Sequence, residues 1–391
     1  MTALKVGFIA LVDAAPLIVA HELGFAAEEG LALTLTRAPS WSTLRDMLVL
    51  GQIDAAHMLA PVPVATALGV GGVATRLEAL AVLSVNGTMI GVSTALADRL
   101  RQIGYGFDFA DAAAAGLALI RAADGRLRIG VPFPFSMHAE LIYYWLSALG
   151  LPADPGIVIH TVPPPLMAQA LAVGDIDAFC VGEPWGSVAV ETGVGALLLP
   201  GTAIWAFAPE KVLAVRQDWA ASQPGLTARL IRAAWRASRW LDDPGSHMTT
   251  AEVLSRPPYL DVAAEIIERA LSGRFVISGR GEERQADPFI AFHHGAAGFP
   301  WRSQAAWIGT QLAGRMGLDP TQAASAARTV FRSDLYRQAL RGTGADLPGA
   351  SEKVEGTVSR PLAVASESGK LFLRPDQFFD GRVFDPLSAT R

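Results

Sequence analysis

The pattern of apolar and polar positions that opens the chain is written a second time further along it. "LKVGFIALVDAAPL" at 4–17 starts with two-residue alternation, then runs through a loop into an apolar stretch at helical spacing. "LRIGVPFPFSMHAEL" at 127–141 has the same form. The first copy continues as a helix pattern "APLIVAHELGFAAEEG", a strand "LALTLTRA", a second helix "STLRDMLVLG" and then "QIDAAHM". The second continues as helix "SMHAELIYYWLSALG", strand "IVIHTV", helix "PLMAQALAVG" and "DIDAFCV". Gly7 aligns with Gly130 and Gly51 with Gly174, each at an offset of 123 residues. The glycine before x-I-D-A fits a helix C-cap, where a left-handed residue is needed, and a short buried strand follows it.

Strands alternating with helices predict βαβ units and a mainly parallel sheet, so two copies predict two similar α/β lobes. In such sheets ligands bind beyond the carboxyl ends of the strands. The loops after Ala10 and after Phe133 are therefore expected to line a cleft shared by the two lobes. Beyond about Val188 the pattern is less repetitive. "ALLLP" and "KVLAVRQDW" read as strands, and 220–243 as a helix with Leu226, Leu230, Ala233 and Ala237 inward. Residues 262–272 and 320–341 read as further helices, and "SGRGEERQADP" and "RGTGADLPGASEKVEG" as loops. The aromatic tail "DQFFDGRVFDP" is expected to dock. Because the chain must cross out and return, the lobes are expected to be discontinuous: 1–90 and 205–391 in lobe I, 91–204 in lobe II.

Composition narrows this picture. A chain of 391 residues with 51% hydrophobic and 18% charged positions can bury two cores and is not a disordered sequence. The net charge of −5, without a Lys/Arg run, gives no general attraction to nucleic acid or anionic membrane. The single cysteine, Cys180, leaves no internal disulfide. No window reads as a membrane span, and "MTALKVGFIAL" has no leader pattern. A natural start at Met1 predicts a cytoplasmic protein; a leader trimmed upstream would make it periplasmic.

Candidate chemistry sits where the loops meet the predicted cleft. "PSWST" follows a strand and precedes a helix, so Ser40 or Ser42 can cap that helix while Trp41 offers an indole N–H, or simply fills core. His138 opens the helix after the first strand of the second copy, a ligand-side position, though a helix-start histidine bonded to backbone explains it as well. Asn86, Gly87 and Thr88 interrupt an apolar run, which reads as a crossover strand, a close ligand approach or a turn. Lys211 enters an apolar strand as a compact point charge that faces a cleft or solvent. Glu183 and Trp185 in "GEPW" read as cleft wall, hinge or packed turn, and Asp13 falls in the loop after the first strand. His293 and His294 lack metal-ligand spacing and read as structural. His21, His57, His160 and His247 form no interpretable spacing. There is no P-loop and no G-x-G-x-x-G after the first strand. Cys180, His138 and Glu183 could be assembled into a nucleophilic set, but nothing in their spacing requires it.

Taken together, "GFIALVDAAPLIVAHELGF", "PSWSTLRDMLVLG", "IDAAHMLAPVP", "VPPPLMAQALAVGDIDAFCVGEPW", "PEKVLAVRQDW" and "WRSQAAW" resemble the nitrate/bicarbonate-binding (NrtA/CmpA-like) family over nearly the whole chain. The resemblance implies a two-lobed, periplasmic-binding-protein-like (type II) α/β clamp, no enzyme activity, and neither cofactor nor metal. It implies ligand contacts at Trp41, His138 and Lys211, with Ser42 and Thr88 standing where nitrate receptors of the family carry glycine and glutamine. Those two departures leave nitrate, nitrite and another small oxyanion open. Lys211 and His138 argue against a bicarbonate site, where the resemblance implies acidic, calcium-binding contacts. The absent leader makes the resemblance closest in type to the cytoplasmic nitrate/nitrite sensors (NasS type). These hold an RNA-binding, ANTAR-type antiterminator (NasT-like) and release it when the anion binds. The alternative is the solute-binding receptor of a nitrate ABC transporter.

Overall fold

The computed structural model describes residues 1–123, 126–151 and 156–388. Strands β1 (Thr2–Phe8), β2 (Leu31–Arg37), β3 (Ala55–Leu59) and β4 (Leu77–Asn86) lie in one sheet. Strands β5 (Thr88–Ser93), β6 (Leu127–Val131), β7 (Ile157–Thr161), β8 (Ala178–Gly182) and β9 (Gly195–Pro200) form the other. Strand β10 (Pro209–Arg216) returns to the first sheet. The two orders are β4-β10-β3-β1-β2 and β9-β5-β8-β6-β7, the same arrangement, with a two-residue strand Ile290–Ala291 added beside β4. In each sheet the three strands of the repeat are parallel. The antiparallel strand beside them arrives directly from the other sheet: β5 straight after β4, and β10 after β9. The chain crosses at Asn86–Gly87, both at positive φ (59° and 93°), and again between Pro200 and Pro209. Of the readings left open for Asn86–Thr88, the crossover strand is the one observed.

The repeat holds at the level of atoms. A Cβ on Gly7 would collide with Leu44 and Ile53; one on Gly130 would collide with Met167 and Ile176, the residues 123 positions later. The side chain of Asp54 accepts the backbone N–H of Lys5 at 2.8 Å, and that of Asp177 accepts the N–H of Arg128 at 3.1 Å. Gly51 and Gly174 both have left-handed φ, 72° and 75°, as the C-cap reading required. Each glycine of the first strand lets a helix and the third strand press against the sheet, which is why both copies keep it.

Helix α1 (Ala15–Glu22) follows β1, α2 (Trp41–Val49) follows β2, and α3 (Met137–Ala148) follows β6. Helix α4 (Pro224–Leu241) buries Leu230, Ala233 and Ala237 as its spacing predicts, with Leu226 only half-buried. The helix expected over 320–341 is two helices, Pro320–Arg328 and Ser333–Leu340. Between them the Val330 carbonyl accepts the Ala79 N–H at 3.0 Å and the Arg332 N–H donates to the Ala79 carbonyl at 2.9 Å. A long-range bond to β4 thus takes the place of helical bonds. The loop "SGRGEERQADP" contributes Glu283–Gln285, a short strand paired with Arg274–Val276.

The aromatic tail docks. Phe378 stacks on Trp205 with ring centroids 4.7 Å apart, and Tyr144 of α3 donates to Asp380 at 2.8 Å. Lys353 anchors the same region by donating to Glu355 and Asp376, both fully buried. Ser303 donates to Glu355 at 2.6 Å, and the Val358 N–H to Asp376 at 2.8 Å. Arg315, on α5 (Arg302–Met316), pairs with the buried Glu140 of α3. The C-terminal segment therefore grips the same helix that carries His138.

Candidate functional site

Where the strand ends of the two sheets face each other, a charged cluster is sealed inside the protein. Lys211 and Glu210 stand at the start of β10, and both are 0% exposed. The Lys211 ammonium lies 2.7 Å from Asp13 Oδ2 and 2.9 Å from Glu210 Oε1. Asp13, in the turn after β1, also meets His57 Nε2 of β3 at 2.9 Å through Oδ1. His138 reaches across from α3, beside the other sheet, and places Nδ1 3.2 Å from Glu210 Oε1. Trp41 covers one side, its ring 5.5 Å from the His57 ring and 5.6 Å from the Lys211 nitrogen. A lysine, two acids, two imidazoles and an indole thus converge with no access to water.

Local sequence explains why these side chains arrive. Ser40 caps α2, its Oγ accepting the Thr43 N–H at 3.2 Å, which fixes Trp41 as the first helical residue. Ser136 caps α3 in the same way, accepting the Ala139 N–H at 3.2 Å. His138 is then held in the first turn, at the carboxyl end of β6.

Adjacent residues of a strand normally face opposite ways. The pairing of β10 with β4 is shifted between Pro209 and Lys211 and again between Lys211 and Val212. That irregularity bends the strand where Glu210 and Lys211 both reach the cluster.

The electrostatics follow from burial and these contacts. Burial alone would raise Asp13, yet the Lys211 charge and the His57 hydrogen bond hold it down at about 2. Burial lowers His57 against the pull of Asp13. Burial and the Lys211 charge push His138 well below the ordinary histidine range. Both imidazoles are therefore neutral at pH 7. Burial lifts Glu210 to about 7, with Lys211 opposing the rise and Asp13 adding to it. Lys211 is raised, because Asp13 and Glu210 outweigh the cost of burying it.

Among the described residues several buried polar atoms of the cluster have no hydrogen-bond partner: the Trp41 indole N–H, the ring nitrogens of His57 and His138, and Glu210 Oε2; the Thr88 hydroxyl, also unpartnered, lies against Gly201. Thr88, the first residue of β5, pairs with Gly182. The missing Cβ of Gly182 would sit 3.1 Å from Leu11 and 3.4 Å from Asp13. Residues opposite each other in an antiparallel pair share a face, so Thr88 is turned to the Asp13 side. Each orphaned buried donor costs roughly 1–3 kcal/mol unless an acceptor reaches it. An indole N–H without an acceptor beside a buried ammonium is what a small acceptor-rich anion satisfies.

Of the residues read from the sequence, Asp13, Trp41, His138 and Lys211 meet directly, and Thr88 faces them. Ser42 lies outside: it is exposed, and its hydroxyl is 2.9 Å from that of Ser40. Glu183 and Trp185, just beyond β8, bond to the loop after β1. The Val12 N–H donates to the Glu183 carbonyl at 2.9 Å, and the Trp185 indole donates to the Ala10 carbonyl at 2.7 Å. A surface cavity of about 720 Å³ opens beside Trp185, lined by Ala10, Ser40, Pro163 and Leu260.

Sequence reading missed Glu210 and His57. The repeat offset carried a signal for His57, because it maps onto Cys180, another fully buried residue of a third strand. Burial and the nearby Glu210 push the Cys180 thiol well up, away from the thiolate a nucleophile needs. His293 and His294 serve structure: their N–H groups donate to Asp242 at 2.8 and 2.5 Å.

A family model described as the NMT1-like family matches residues 1–255. The chain is 31% identical, over 98% of its length and 83% of the relative's, to the nitrate/nitrite binding protein NrtA of Nostoc sp. (strain PCC 7120). It is 32% identical to the nitrate import ATP-binding protein NrtC of Synechocystis sp. (strain PCC 6803), covering 98% of this chain and 53% of that protein. The crystal structure of the periplasmic nitrate-binding protein NrtA from Synechocystis PCC 6803 superposes with a TM-score of 0.83 at 29% identity. That match covers 100% of this chain and 97% of the other. Structural neighbours of this kind and the two facing sheets make the fold a two-lobed solute-binding clamp. Among the described residues no helix is long and apolar enough to cross a membrane.

Proposed function

This chain belongs to the NMT1-like family, and on that premise we propose that it captures nitrate or nitrite between its two lobes as the receptor of an ABC importer, with no bond made or broken. The observation that carries the reading is the buried Trp41 indole N–H, without an acceptor among the described residues, beside the sealed Lys211 ammonium. Nitrate is planar, monovalent and weakly hydrated, and presents only acceptors. Charge-assisted hydrogen bonds contribute roughly 1.5–3 kcal/mol each, and more specificity than a naked ammonium gives alone. Groups from both sheets surround the guest, Trp41 and Lys211 from the first sheet's side and His138 from the second's, so the guest holds the clamp shut.

The lobes on this reading are 1–90 with 205–391, and 91–204. Support comes from the sheets: the strands of one lie within 2–86, 209–216 and 290–291, those of the other within 88–200. The names of the relatives favour the transport receptor, and with it a periplasmic location, over the cytoplasmic sensor with an antiterminator partner that was expected from the sequence.

The test is a calorimetric titration with nitrate of the wild type and of Trp41→Phe. The indole N–H has no partner among the described residues, so phenylalanine removes a ligand contact, together with part of a fully buried ring's packing. We expect nitrate to bind at least about tenfold more weakly, with the nitrate-free protein still unfolding cooperatively, at a lower melting temperature. An unaltered affinity would remove Trp41 from the site.

A further inference from the structure

The charges around Lys211 do not yet balance for an anion. The ammonium is already shared by two carboxylates, at 2.7 Å from Asp13 and 2.9 Å from Glu210. Every charged or titratable group that faces Glu210 can be named. Lys211 is its neighbour on β10, and Asp13 comes from the turn after β1. His138 comes from α3, 3.2 Å away, and His57 from β3, behind Asp13. Cys180 of β8 is near enough to feel the Glu210 charge. Among these described groups, Lys211 is the one that carries a positive charge at neutral pH. A nitrate ion entering this enclosure would be a third negative charge beside one cation, in a medium with no water to screen it.

We propose that Glu210 takes up a proton from solvent as the anion binds, so that this protein captures nitrate together with H⁺. The inference rests on the cleft being an anion site. Glu210 is the group of choice on geometry. Asp13 is held ionised from both sides, by Lys211 and by His57, whereas Glu210 meets Lys211 through Oε1 alone and leaves Oε2 buried without a partner. Adding the proton turns Oε2 from an orphaned acceptor into a donor, the one chemistry an acceptor-only guest requires. It also frees Lys211 from one of its two counter-charges. His138 is the poorer candidate, since a second cation would stand against Lys211. Like charges forced together raise the proton affinity of one of them, and burial places Glu210 near neutrality already. Glu210 was absent from every sequence expectation. This assignment makes it a specificity-determining residue, one that favours guests without protons of their own.

The experiment is nitrate titration by calorimetry from about pH 6 to 9, each pH in two buffers of different ionisation enthalpy. We expect proton uptake to rise toward one per nitrate above about pH 7, and the dissociation constant to weaken up to about tenfold per pH unit there. Glu210→Gln carries the neutral form permanently and should bind nitrate with no proton uptake and no such pH dependence. Wild-type binding without proton uptake and with flat affinity would overturn the inference while leaving the anion site intact. So would a Glu210→Gln variant with the wild-type pH profile. No binding at any pH would overturn both the site and its proton. If Glu210→Gln fails to fold, the wild-type proton count decides alone.

Discussion

Lys211→Ala loses nitrate binding by at least about a hundredfold and destabilises the empty protein by about 3–5 kcal/mol. Two separate effects are combined in that result. Removing the ammonium deletes the cation that would hold the guest, and it leaves Asp13 and Glu210 facing each other without a counter-charge, both buried. An incoming anion then meets repulsion instead of attraction. Breaking one partner out of a buried ionic cluster costs far more than the cluster itself contributes, because an uncompensated charge stays behind. The effects separate in the triple variant Lys211→Met, Asp13→Asn, Glu210→Gln. That variant should regain most of the stability in urea unfolding and none of the affinity. Affinity of Lys211→Ala within tenfold of wild type would remove the lysine from the site.

Lys353→Ala has the second largest expected effect, and it falls on folding. Lys353 donates to Glu355 and Asp376, and both acids are fully buried. The two carboxylates keep some support, from Ser303 on Glu355 and the Val358 N–H on Asp376. Neither donor carries charge, so alanine leaves two anions in a dry setting with neutral partners only. We expect a loss of about 3–5 kcal/mol in urea unfolding. As the pH falls the loss should shrink, because Glu355, already raised by burial, takes up a proton sooner than an ordinary carboxylate. A change under about 1 kcal/mol at pH 7 would mean that the tail does not depend on this anchor.

The sequence carried the architecture because the repeat is a packing constraint. Gly7 and Gly130 must be glycine for Leu44 and Ile53, or Met167 and Ile176, to press on the sheet, and constraints of that kind leave their mark at fixed spacing. Trp41 and His138 were legible for a related reason: each sits at a capped helix start beyond a strand end, a place the pattern locates. Glu210 was not legible. Strand alternation turns it away from Lys211, and only the irregular pairing with β4 brings both into the cluster, a feature of tertiary contact with no local signature. Ser42 fails for the opposite reason. One residue along a helix is a rotation of about 100°, so the neighbour of a buried Trp41 points to solvent. The break near Val330 depends on a bond to Ala79, some 250 positions away, which no window on the sequence contains.

The most direct test of the central claim is a crystal structure of the protein grown in nitrate at a pH near 6. The account predicts a planar anion enclosed between the lobes, with the Trp41 indole N–H and the Lys211 ammonium each within hydrogen-bonding reach of one of its oxygens. An enclosure without the anion, in which Lys211 remains bound to Asp13 and Glu210 alone while the indole finds another partner, would contradict it.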